Sequence, residues 1–66
     1  MFEIGTIVKY KDEWCSEGER KYRHIIREQR LNPITNEMTR YLIETINTKL
    51  TLNPTSIVDE CMITKA

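Results

Sequence analysis

With 66 residues the chain has room for one domain, residues 1–66, and one modest core, since a chain this short buries only about 60% of the surface its unfolded form exposes. Ten basic and ten acidic side chains cancel to zero formal charge, which weakens a nucleic-acid reading based on bulk attraction, while 39% hydrophobic and 30% charged residues suit a folded globule rather than a disordered tail. Cys15 and Cys61 lack metal-ligand spacing and no segment has the apolar run of a signal peptide or membrane span, so a cytoplasmic protein with free thiols, no metal and no cofactor is expected.

Ile4, Thr6, Val8 and Tyr10 alternate with Gly5, Ile7, Lys9 and Lys11, which is the period of a strand. From Asp12 to Glu19 the residues are polar apart from Trp14 and Cys15, and Gly18 adds a breaker, so a loop is expected. Arg20 to Leu31 admits two readings. A helix near residues 17–31 gains a capping box from Ser16 and Glu19 and gathers Tyr22, Ile25 and Ile26 on one side, but Gln29 and Arg30 occupy the next core positions. A strand puts Tyr22, His24, Ile26 and Arg30 on one face, with Arg23, Ile25 and Arg27 on the other.

The continuation favours the strand. Asn32-Pro33-Ile34-Thr35-Asn36-Glu37 is turn chemistry, with Asn36 suited to positive φ, and Met38 to Ile46 is rich in β-branched and aromatic residues, so the two runs make a hairpin. A second turn at Asn47–Lys49 leads to a short strand at Leu50–Leu52. Pro54 then interrupts the ladder in a one-turn 3₁₀-like bend at Asn53–Ser56, and Ile57 to Ile63 forms the last strand. The expected fold class is mostly β, a single five-stranded barrel with a one-turn 3₁₀ helix before the last strand; the alternative is α+β with the helix at 17–31.

That succession resembles an SH3-like barrel of the Tudor and KOW kind, of the sort found in small phage and mobile-element proteins. The resemblance rests on Gly5-Thr6-Ile7-Val8-Lys9-Tyr10, Ile25-Ile26-Arg27-Glu28, the turn at 32–37, Tyr41-Leu42-Ile43-Glu44 and Asn53-Pro54-Thr55-Ser56-Ile57-Val58. It covers nearly the whole chain through β propensity and turns, not through a chemical signature. Such barrels include binders of peptides, RNA and methyl-lysine, so the resemblance implies binding without selecting a ligand. A methyl-lysine cage needs several converging rings, and Tyr10, Trp14, Tyr22 and Tyr41 must also serve the core. The acids Asp12, Glu13, Glu17 and Glu19 run against a KOW-like RNA surface, and with Trp14 and Pro54 they match a polyproline-binding SH3 surface only loosely.

Catalysis finds little support. His24 is the only histidine and has no cysteine near it in sequence, and Gly5 and Gly18 cannot build a phosphate loop. Arg20, Lys21, Arg23, Arg27 and Arg30 form a basic run that reads either as a solvated, protective edge strand or, with Arg40 across the hairpin, as a positive patch for phosphate or an acidic protein surface. Trp14 reads either as the lid of a small core or as an exposed anchor, with Tyr10 beside it. The adjacent pairs Ile25-Ile26 and Leu42-Ile43 cannot all be buried by a one-sided sheet, which implies closure over a second small core or an apolar patch covered by a partner. The resulting expectation is a non-catalytic module, an adaptor or inhibitor, that binds a protein stoichiometrically through Tyr10, Trp14, Arg23, Arg27, Arg30 and Arg40. Nucleic acid is the alternative partner and a membrane is not expected; the chain is expected to be a monomer or homodimer.

Overall fold

The computed structural model describes residues 1–66 as one antiparallel five-stranded sheet. Its strands are β1 (Ile7–Tyr10), β2 (His24–Asn32), β3 (Glu37–Thr45), β4 (Thr55–Asp59) and β5 (Ile63–Lys65), in the spatial order β4-β3-β2-β1-β5. There is no α-helix; 3₁₀ turns at Asp12–Trp14 and Glu17–Glu19 follow β1, and a third at Glu60–Met62 precedes β5. No helix is long and apolar enough to cross a membrane.

The mostly-β expectation holds, and the helical reading of 17–31 does not. The capping box that suggested a helix is real: the Glu19 carboxylate accepts from the Ser16 hydroxyl at 2.7 Å and from the Ser16 N–H at 3.4 Å. It closes a single turn, because pairing of β2 with both β1 and β3 satisfies the backbone beyond Arg23. The turn after β2 forms as expected. Asn36 takes φ 57°, where asparagine is tolerated, and the Asn32 side chain accepts from the Ile34 N–H at 3.0 Å.

Three expectations shift along the chain. Leu50–Leu52 is an exposed part of the loop between β3 and β4, not a strand; the last 3₁₀ turn lies at Glu60–Met62 rather than at Asn53–Ser56; and that turn divides the expected Ile57–Ile63 strand between β4 and β5. Pro54 does not break a ladder but stands at the end of one: its carbonyl accepts from the Thr45 N–H at 2.9 Å, and with no N–H it cannot return the second bond of that pair, a loss tolerated at the start of an edge strand. The fourth strand therefore begins at Thr55.

Side-chain alternation in β2 is broken by a bulge at Arg27. Ile26 faces Ile43 on one side of it and Glu28 faces Leu42 on the other, so parity reverses. Below the bulge His24 and Ile26 point inward; above it Gln29 does, opposite Tyr41. Six residues, Val8, Ile26, Tyr41, Ile43, Val58 and Ile63, form the buried core, with Phe2, Tyr10 and Met62 packed against it. Tyr41 is completely buried; its hydroxyl accepts from the Phe2 N–H at 3.0 Å, and the Phe2 ring meets it edge-on at 5.7 Å. The N-terminal segment thus closes one end of the core.

The adjacent apolar pairs are divided between the two faces. Ile26 and Ile43 enter the core, while Ile25 and Leu42 lie on the outer face with Ile7 and Ile57. The second side chain of each pair joins an outer apolar patch rather than a second core.

Candidate functional site

Each arginine of the basic run that lies on the sheet is held by a carboxylate. Arg27 Nε lies 3.2 Å from Glu44, Arg30 Nη2 is 3.3 Å from Glu28, and Arg40 Nε is 2.8 Å from Asp59. Arg30 and Arg40 face each other directly across β2 and β3, an arrangement that is repulsive unless each has its own counter-charge. Glu28 and Asp59 supply those charges. Strict alternation places Arg30 on the face of His24 and Ile26; the bulge at Arg27 instead turns it outward beside Arg40. Of the two readings of this run, the protective edge strand does not hold, because β2 lies between β1 and β3. Arg23 precedes β2, and its guanidinium donates to the carbonyls of Arg20 at 2.7 Å and Tyr22 at 3.0 Å. Exposed pairs of this kind contribute little to stability, about 0–1 kcal/mol each, but they cancel the local positive charge that phosphate recognition requires.

Trp14 is 52% exposed on its 3₁₀ turn and lines none of the clefts described below. Tyr10 does line one of them. Its ring packs edge-on against His24, with centroids 5.0 Å apart, and both residues belong to a cleft of about 300 Å³ between the loop after β1 and the loop after β3. Tyr22 and Glu19 come from the first loop, Thr45 from the end of β3, and Leu50 and Pro54 from the second loop.

Each wall is fixed from within. Asn47 acts as a backbone surrogate: its side-chain carbonyl accepts from the Arg23 N–H and its amide donates to the Lys21 carbonyl, both at 2.7 Å. With the Ile46 N–H donating to the Arg23 carbonyl at 3.0 Å, this locks Tyr22 against the second loop. Glu19 is held through one oxygen by Ser16, an arrangement that keeps its carboxyl below the usual carboxylate range. The Lys21 ammonium lies 5.4 Å from the centroid of the Tyr22 ring, a cation–π contact within the chain itself.

His24 is only 7% exposed and its Nδ1 lies 2.9 Å from the Thr45 hydroxyl. Burial, and secondarily the charge of Arg23, push its pKa below the ordinary value of 6.5, so the ring is neutral at pH 7. The unfolded chain then binds this proton more readily than the folded one. Thermal stability should be level above about pH 6.5 and fall as pH drops toward the depressed folded-state pKa. Melting curves between about pH 5 and 8 would show this slope, and His24→Gln should flatten it; an unchanged slope in that variant would assign the proton elsewhere. The Glu19 and Glu44 carboxyls, both lowered from 4.5, act in a separate and more acidic window.

No protein-family model, curated protein or solved structure matches this chain. Its chemistry must therefore be read from its own groups. Thr45 and His24 have the separation of a nucleophile and base, but no carboxylate bonds the second ring nitrogen, and a depressed pKa makes the imidazole a weaker base. No group of three His, Cys, Asp or Glu residues is placed to hold a metal ion. A larger and shallower cleft of about 620 Å³ lies at the opposite end, near Phe2, Lys11 and Asn32. Its acids already have partners: Asp59 pairs with Arg40, and Glu60 with the N-terminal ammonium. Of the residues that line or brace the smaller cleft, Tyr10 could be singled out from the sequence as a candidate; Tyr22, Glu19 and Asn47 could not, because nothing local shows that the two loops meet.

Proposed function

We propose that this chain is a non-catalytic protein-binding module, an SH3-like small barrel that acts stoichiometrically by clasping one basic side chain of its partner in the cleft between its two long loops. The observation that carries this reading is the cleft lining: Tyr10, Tyr22 and Glu19 border it beside a nearly buried, neutral His24, and hydrogen bonds hold Glu19, His24 and the backbone on either side of Tyr22. Ring faces attract a cation, and the Lys21 contact with Tyr22 shows that chemistry within the chain. Preorganised walls lower the ordering cost of binding, and about 300 Å³ suits an anchor side chain rather than an extended ligand. The strand order and the 3₁₀ turn before β5 support the barrel assignment. Nucleic acid is the weaker reading because Arg27, Arg30 and Arg40 are already neutralised.

The test is an NMR titration of the ¹⁵N-labelled protein with short capped peptides that differ only in carrying lysine, arginine or norleucine at the centre. Shifts confined to Tyr10, Tyr22, His24 and Thr45, larger for the cationic peptides and lost in Tyr22→Ala, are expected. Equal response to norleucine would remove the role of charge, and no response at millimolar peptide would refute the cleft as the site. A parallel titration with a DNA oligonucleotide should show no steeply salt-dependent binding; such binding, lost in Arg27→Ala, would favour the nucleic-acid reading.

A further inference from the structure

The two edges of the sheet are unequally protected. β5 is three residues long and ends in Lys65, whereas β4 has no lysine, arginine or proline within it and carries Ile57, 55% exposed, at its centre. Short length and lysine are common defences against edge pairing, so β4 is the open edge.

The ladder to β3 fixes which β4 groups are free. The Thr45 N–H bonds the Pro54 carbonyl, and Thr45 and Pro54 fall in the same register as Ile43 with Ser56 and Tyr41 with Val58. These alternate positions are the hydrogen-bonded pairs of an antiparallel ladder. Thr55, Ile57 and Asp59 therefore turn their main-chain groups away from β3. Asp59 N–H reaches the Met62 sulfur at 3.5 Å, while no backbone bond outside the ladders engages Thr55 or Ile57. The free groups are thus centred on Ile57.

We infer that two copies of this chain pair antiparallel through β4, about a two-fold axis at Ile57, joining their sheets into one. Each Ile57 N–H donates to the Ile57 carbonyl of the other copy, and each Thr55 N–H faces the carbonyl of Asp59 of the partner subunit. The axis makes the interface self-complementary, which an isologous contact requires. On the outer face, the row Glu28, Leu42, Ile57 continues into its own reverse, so four apolar side chains meet and Glu28, paired with Arg30, closes each end. At the flanks Asp59 meets a threonine, not another acid, so no like charges stand directly opposite. A partner strand of unrelated sequence would supply main-chain bonds but not this matched row, and that selects the second copy.

Ser56 of the same strand lines the cleft, but Ile57 lies on the opposite face and lines none, so each proposal has its own variant, Ile57→Lys here and Tyr22→Ala there. Sedimentation from about 10 µM to about 1 mM should show a concentration-dependent monomer–dimer equilibrium. Ile57→Lys should weaken dimerisation at least tenfold while leaving the circular dichroism spectrum unchanged. For the register, Ile57→Cys in a Cys15→Ser, Cys61→Ser background should form an interchain disulfide with oxidised glutathione, because the paired positions bring the α-carbons within bridging range. Thr55→Cys should not, since the two copies of residue 55 lie at opposite ends of the pair. A monomer at every concentration, a dimer indifferent to Ile57→Lys, or equal cross-linking at residue 55 would each overturn the inference.

Discussion

Tyr41→Ala is expected to remove roughly half of the stability of the fold. Tyr41 is the largest side chain with no exposed surface, and removing a buried aromatic ring costs about 3–5 kcal/mol. A chain of this size has roughly 3–10 kcal/mol in total at ordinary stability per residue. The loss is compounded because Phe2 packs edge-on against this ring and donates its N–H to the hydroxyl, so the N-terminal closure of the core goes with it. Tyr41→Phe separates the two contributions: it keeps the ring contact and loses one hydrogen bond, for an expected cost of about 0.5–1.5 kcal/mol. Urea unfolding followed by Trp14 fluorescence measures both. A Tyr41→Ala protein with a wild-type midpoint would show that the core does not depend on this ring.

Asn47→Ala is expected to loosen the cleft without dismantling the sheet. The variant frees the Arg23 N–H and the Lys21 carbonyl together, and two such bonds contribute about 1–3 kcal/mol. The sheet ladders do not involve this side chain, so the strands should persist while Tyr22 loses its fixed position. Hydrogen exchange should therefore accelerate at residues 21–23 and leave Ile26 and Ile43 slow, and binding of a lysine peptide should weaken at least tenfold. Asn47→Asp retains the acceptor for Arg23 and loses the donor to Lys21, so an intermediate effect is expected. Uniform acceleration of exchange across the sheet would instead make Asn47 a determinant of global stability.

What the sequence made legible was mainly local. The turn from Asn32 to Glu37 announced the β2–β3 hairpin because proline and asparagine have strong intrinsic backbone preferences, and Asn36 adopts the positive φ that this chemistry suggested. The adjacent pairs Ile25-Ile26 and Leu42-Ile43 signalled that the sheet has apolar groups on both faces. The bulge at Arg27 was not legible, since it is set by which residues of β3 lie opposite, and that choice reversed the expected facing of Arg30. Leu50 and Leu52 have the apolar character of strand residues, yet the ladder to β3 is taken up from Thr55 and leaves them in the loop. Tyr10 stood out as a candidate binding residue from its place near the end of the first strand. Its partners in the cleft lie twelve or more residues away, Glu19 excepted, and only the meeting of the two loops brings Tyr22, His24 and Pro54 to it.

The position of β1 between β2 and β5 governs how the chain can reach its folded state. The β2–β3 hairpin closes over a turn of a few residues and can form early, followed by β4. β1 is different: Val8 pairs with both His24 and Lys65, a separation that spans most of the chain. Closing so long a loop is slow and yields no reward until the last contacts form, which puts this molecule among the slower-folding topologies for its length. β1 can join β2 once the hairpin has formed, so the contact expected to close last is that of β5 with β1, which seals Ile63 into the core.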